Sequence, residues 1–198
     1  MPAKSKASSA DPPVLSFASK DDWEAWLDAN HTSVDAIWLK FAKKASGVPS
    51  VVYAEALEVA LCYGWIDGQV QSVDVTWYMQ RFTPRRSRSK WSKINCAKVQ
   101  TLIEQGRMKP AGQRQIELAK ADGRWDAAYD SPRTATVPDD FAAALTKNKK
   151  AAAFFATLTG TNRYAILYRI QDAKRPETRK RRIEGFVEML AAGKKVVP

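Results

Sequence analysis

Strand-like alternation in this chain of 198 residues is confined to its first half, and every apolar repeat beyond residue 137 has helical spacing. In 37–42, Ile37, Leu39 and Phe41 alternate with Trp38, Lys40 and Ala42, which predicts a strand with one apolar face. Residues 66–73 and 76–82 read as two further strands around a turn at Asp74. Helices are expected around them. In 20–29, Ser19 and Asp22 have the spacing of a capping box, and Trp23, Trp26 and Leu27 repeat in phase. In 53–63, Leu57 and Leu61 lie one turn apart ahead of Gly64. Residues 91–105 and 111–121 follow, the latter stopped by Asp122-Gly123.

Residues 130–137 carry turn formers and few large apolar side chains, which makes them a linker. Beyond it, Pro138 is expected at the first position of a helix bearing Phe141 and Leu145. Residues 151–158 are rich in Ala and Phe, Thr161 is a cap for 162–173, and Ile183, Phe186, Val187 and Leu190 form an i, i+3, i+4, i+7 stripe. The expected fold class is α+β: a small, mostly antiparallel sheet flanked by helices in 14–130, then a C-terminal helical part in 138–192. Residues 1–13 are expected to be a disordered tail. Trp23, Trp26 and Trp38 are expected in the core.

Charge is distributed as unevenly as secondary structure. The net charge is +11, yet residues 1–75 hold 6 Lys/Arg against 10 Asp/Glu, and residues 76–198 hold 26 against 11. The densest stretch is 81–98, with Arg81, Arg85, Arg86, Arg88, Lys90, Lys93 and Lys98 and no acidic residue. Like charges repel, so such a run points to an anionic partner, and the planar guanidinium fork suits phosphate. Arg81, Arg85, Arg86, Arg88, Lys90 and Lys93 are the first candidate anion-binding residues, with Ser92 and its neighbours Ser87 and Ser89 donating hydroxyl hydrogen bonds. If 91–93 opens a helix, its free N–H groups add to the site. Trp91 either lies over the cations as a stacking platform, which is the expectation, or folds back over the helix start. A second cluster offers Lys174, Arg175, Arg179 and Arg182 near a helix expected to begin at Pro176. The plainer alternative for both clusters is a solvated basic surface.

Three blocks together resemble the YdeI/OmpD-associated bacteriocin-protection family: Glu55 to Gly68, ending Gly-Trp-Ile-Asp-Gly, then Phe82 to Asn95, then Ala173 to Ile183. The resemblance extends over roughly 15–192. It implies a link to protection against bacteriocins or cationic peptides and brings no reaction and no catalytic residues.

Other chemistries find little support. His31 is the sole histidine, Cys62 and Cys96 are far apart, and the nine glycines are scattered singly, so no metal and no cofactor is expected. Asp67 with Glu55 is the one carboxylate pair that an enzyme could use, and an outward helix face explains Glu55 equally well. With no secretory h-region and no apolar run of membrane length, a cytoplasmic location is expected. The first functional reading is therefore a non-enzymatic cytosolic protein that binds anionic ligands, foremost nucleic acid, and supports peptide resistance indirectly. The alternatives are an interaction module for an acidic protein or membrane surface, and an enzyme acting on a phosphorylated or carboxylated small molecule.

Overall fold

The computed structural model describes residues 11–197, so most of the tail expected at 1–13 lies outside the described residues. The chain forms two compact units. The first comprises residues up to Ser89 together with Cys96–Asp126, and the second comprises Lys90–Asn95 together with the chain from Ala127 onward. The fold class is α+β.

The first unit holds a four-stranded sheet in the order β1-β2-β4-β3, from β1 (Val14–Leu15), β2 (Ile37–Ala42), β3 (Trp65–Ser72) and β4 (Trp77–Pro84). β2 and β3 both run antiparallel to β4, while β1 runs parallel to β2. β1 is an addition to the expected strands: Val14 pairs with Trp38, and the Pro13 carbonyl accepts from the Trp38 N–H at 2.9 Å. The β3–β4 turn forms because the Asp74 carboxylate accepts from the N–H groups of Thr76 (2.7 Å) and Trp77 (2.8 Å).

The sheet's inner face packs on α1 (Lys20–Asn30) and α2 (Tyr53–Cys62). Ser19 caps α1 with the reciprocal Asp22 bond that its spacing predicts, which fixes where the helix starts and so which way Trp23 and Leu27 point. Trp23 meets Phe82 with ring centres 5.8 Å apart and donates its indole N–H to the Ala56 carbonyl at 3.1 Å. α3 (Lys93–Glu104), from Cys96 onward, and α4 (Pro110–Ala121) complete the unit. α4 approaches α2 so closely that a Cβ on Gly112 would stand 2.2 Å from the Cys62 carbonyl oxygen.

The outer face of the sheet is different. Ile37, Leu39 and Phe41 are buried, whereas Trp38, Lys40 and Ala42 are half-buried. Opposite them in register stand Arg81, Met79 and Trp77, also half-buried. Trp38 is thus not a core residue as expected; the alternation that turns Ile37 and Leu39 inward turns it outward.

The second unit is helical: α5 (Asp139–Thr146), α6 (Lys149–Thr157), α7 (Gly160–Gln171) and α8 (Pro176–Ala191). Its core gathers Phe141, Leu145, Phe155, Ile166, Ile170, Ile183 and Leu190. Two expected caps move by a residue or two. Pro138 is the N-cap of α5 and not its first helical residue, and Thr159, not Thr161, precedes α7.

Candidate functional site

The run 81–93 does not behave as one loop. Arg81 lies in β4 on the outer sheet face. Arg85 is only 6% exposed, so it is part of the packed structure and not an open phosphate ligand; its backbone N–H donates to the Gly64 carbonyl at 2.9 Å. A pinned turn follows. The Ser89 N–H donates to the Arg86 carbonyl (2.9 Å), the Arg86 N–H donates to Ser89 Oγ (2.9 Å), and Arg124 Nη1 donates to the Ser89 carbonyl (2.9 Å). These bonds hold the backbone and leave Arg86 and Arg88 exposed. Among the described residues neither has an ion pair, so both guanidinium forks are open.

Residues 90–95 belong to the second unit. The Tyr129 N–H donates to the Trp91 carbonyl (3.0 Å), the Lys93 N–H donates to the Tyr129 carbonyl (2.9 Å), and Ser92 bridges Tyr129 in parallel fashion. Three expectations meet this arrangement. Trp91 is 1% exposed, so no open indole face remains for stacking. Burying a ring that large outweighs the charge of its neighbours because their long stems carry the cations outward. Ser92 Oγ accepts from the Asn95 N–H at 3.2 Å and the Lys93 N–H is taken by Tyr129, so the start of α3 has these groups satisfied within the protein. Lys90 bonds the Asp172 carboxylate and the Tyr168 hydroxyl, and Lys93 pairs with Asp130 at 2.8 Å.

The second cluster divides in the same way. Arg179 grips Asp140 with Nε (2.6 Å) and Nη2 (2.8 Å) and donates from Nη1 to the Ile170 carbonyl (3.0 Å). The Arg179 hydrogen bonds hold the Asp140 carboxyl below the usual carboxylate range and raise Arg179 itself. Arg182 bonds the Arg169 carbonyl and lies 3.9 Å from Asp172. Lys174 and Arg175, at the start of α8, are exposed and have no ion pair among the described residues. A groove of about 610 Å³ runs between α5 and α8, floored by Ala144, Ile183 and Val187. Its rim carries both signs, with Lys147 and Lys180 against Glu184 and Glu188, which does not select anions.

The carboxylate pair expected for catalysis is not assembled. Asp67 accepts from the Tyr53 hydroxyl (2.9 Å) and from Gln80 Nε2 (2.7 Å), and burial, followed by the Asp67 charge, pushes the Tyr53 phenol well above its ordinary value. Glu55 is exposed, while Glu58 pairs with Arg107 (3.2 Å) and Lys98 (3.5 Å). His31 caps α1, its Nδ1 lying 2.9 Å from the Leu27 carbonyl, and burial raises the Cys62 thiol to about 11. No group of three metal-ligating side chains occurs among the described residues, and no described helix is long and apolar enough to cross a membrane.

Residues 15–115, just over half of the chain, match the model of a domain of unknown function, DUF8412. The chain belongs to the DUF8412 family. Residues 134–193 match a second model, described as bacteriocin-protection, YdeI or OmpD-associated, the family that the sequence resembles. Its span is narrower than the expected 15–192: the block from Ala173 to Ile183 lies inside it, whereas Glu55–Gly68 and Phe82–Asn95 lie in the DUF8412 part. No curated protein and no solved structure matches the chain.

One surface escapes the sequence reading. Lys40 Nζ stands 4.6 Å from the centre of the Trp77 ring on the outer sheet face. The alternation of β2 is the signal that could have found it, since the residues that do not face the core must face outward.

Proposed function

We propose that this member of the DUF8412 family is a cytoplasmic protein that binds nucleic acid through charge, and that it supports bacteriocin or cationic-peptide resistance indirectly. The observation that carries this reading is the turn at 86–89: Arg86 and Arg88 are exposed on a hydrogen-bonded backbone with no carboxylate partner among the described residues. A cation already paired must exchange its carboxylate for a phosphate, which gains little. An open guanidinium on a fixed turn displaces only counterions, and their release favours binding. Lys174 and Arg175 are open in the same sense.

The resistance link comes from the printed description of the matched family. A chain of net charge +11 repels cationic peptides, so direct sequestration is physically disfavoured and protection runs through another step, such as expression or envelope regulation. Titrating the full chain with a fluorescent oligo(dT) across a salt series tests the binding. The logarithm of affinity is expected to fall linearly with the logarithm of salt, at about 0.7 per phosphate contacted on a single strand. No binding to single or double strands at low salt overturns the reading.

A further inference from the structure

We propose that the outer face of the sheet in the first unit is a stacking platform for single-stranded nucleic acid, with Trp38 and Trp77 taking bases and Lys40 and Arg81 taking phosphates. It rests on the proposed nucleic-acid binding and names the form of nucleic acid and the residues that would hold it.

Three consecutive cross-strand pairs build the face: Trp38 with Arg81, Lys40 with Met79, and Ala42 with Trp77. All six residues are half-buried, in contrast to the near-zero exposure of Ile37, Leu39, Phe41 and Phe82 on the other side. Large aromatic rings on a sheet face are ordinarily covered by a helix or a second sheet. Here, cations stand between and beside them. Lys40 Nζ sits 4.6 Å from the Trp77 ring centre, so one face of the indole meets a charged group.

Charge complementarity selects the occupant. None of these six positions is acidic, and the nearby acids have hydrogen-bond partners of their own. Asp67 is engaged with Tyr53 and Gln80, and Asp74 closes its own hairpin through the N–H groups of Thr76 and Trp77. The six positions therefore combine aromatic and cationic side chains, and the carboxylate whose charge reaches Lys40 is Asp74, at the hairpin end of the face. A second copy of the chain docked through the same face would bring the same cations against it. A partner that offers flat rings and regularly spaced negative charge fits both features, and an unpaired nucleic-acid strand has both. Duplex bases are stacked on each other and unavailable, which makes the platform selective for single strands. Trp38 and Trp77 lie four strand residues apart in register, roughly 13 Å at ~3.3 Å per residue, so they would take separate bases of one strand.

The test uses the full chain, a fluorescent oligo(dT) 20-mer and a duplex of the same length. Substituting Trp38→Ala and Trp77→Ala together is expected to weaken oligo(dT) binding at least tenfold, at unchanged salt slope, and to leave duplex binding within twofold. Trp38→Phe with Trp77→Phe should retain most of the affinity, because a ring survives. Should the alanine pair fail to fold, Lys40→Glu decides: a drop of about tenfold for oligo(dT) supports the platform, and no change overturns it. If the wild-type chain binds oligo(dT) and the alanine pair, still folded, binds it equally well, the platform is wrong while charge-driven binding stands. If the wild-type chain binds neither probe, both proposals fall. Loss of self-association in the alanine pair, with DNA affinity unchanged, gives the face to a second copy and overturns the platform.

Discussion

The two basic stretches of this chain look alike as sequence and differ as structure. In the turn at 86–89 the backbone makes the hydrogen bonds, and Arg86 and Arg88 are left open. In α8 the guanidinium groups make them: Arg179 ties α8 to Asp140 on α5 and to the end of α7, and Arg182 reaches the Arg169 carbonyl. The difference teaches that a count of cations overstates the charge available to a ligand. A pair that is satisfied within the fold contributes to stability, modestly when exposed, and little to binding. Only Arg86, Arg88, Lys174 and Arg175 of the twelve expected residues are both exposed and without an ion pair among the described residues.

The sharpest way to break this division is within the basic run itself. Trp91 is buried amid residues that were expected to bind ligand. Trp91→Ala is expected to destabilise the chain by about 3–5 kcal/mol, as for other buried aromatic truncations. Thermal melting checks this; a loss below about 1 kcal/mol would return Trp91 to the surface. Arg85→Ala comes next. Its side chain is buried, so its removal is expected to cost about 1–3 kcal/mol, and a neutral outcome would place Arg85 with the open cations. Substituting Arg85, Arg86 and Arg88 together would thus confuse stability with binding.

How much of this was legible in the sequence depends on the range of the interaction. The capping box at Ser19, the turn at Asp74 and the stop after Cys62 rest on residues within a few positions of one another, and each formed where its residues stand. β1 was missed because two residues after a Pro-Pro pair are too few to show a period, and parallel pairing to Trp38 is a non-local event. The division of the cations was hidden for the same reason. Arg179 finds Asp140 39 positions away, and Lys90 finds Asp172 82 away. No spacing rule reaches that far. Trp38 is the instructive exception: it sits on a patterned face and was expected in the core, yet the alternation that turns Ile37 and Leu39 inward turns it outward.

A smaller effect tests the structural half of the comparison. Arg179→Ala is expected to lower stability by about 1 kcal/mol at pH 7, a figure kept small because both partners are partly exposed to solvent. The sign with pH follows from Asp140. Its folded carboxyl lies below the usual range, so its stabilisation is full above the unfolded value near pH 4 and disappears as pH falls through the folded one. The difference in melting temperature between wild type and variant should hold from pH 7 to about 5 and close below about pH 4. A difference that persists unchanged into acid would mean that packing and not the ion pair is responsible.

The smallest stability effect belongs to the residues with the largest expected effect on binding. Arg86→Ala with Arg88→Ala should change stability by less than about 0.5 kcal/mol. The deciding measurement is the salt dependence of oligo(dT) binding for that pair, set beside Arg179→Ala with Arg182→Ala. The expected result is a slope shallower by roughly 1.4 for the Arg86 and Arg88 pair, two contacts at about 0.7 each, and a slope close to wild type for the α8 pair. The reverse pattern, an unchanged slope on losing Arg86 and Arg88 and a reduced one on losing Arg179 and Arg182, would contradict the division between open and paired cations.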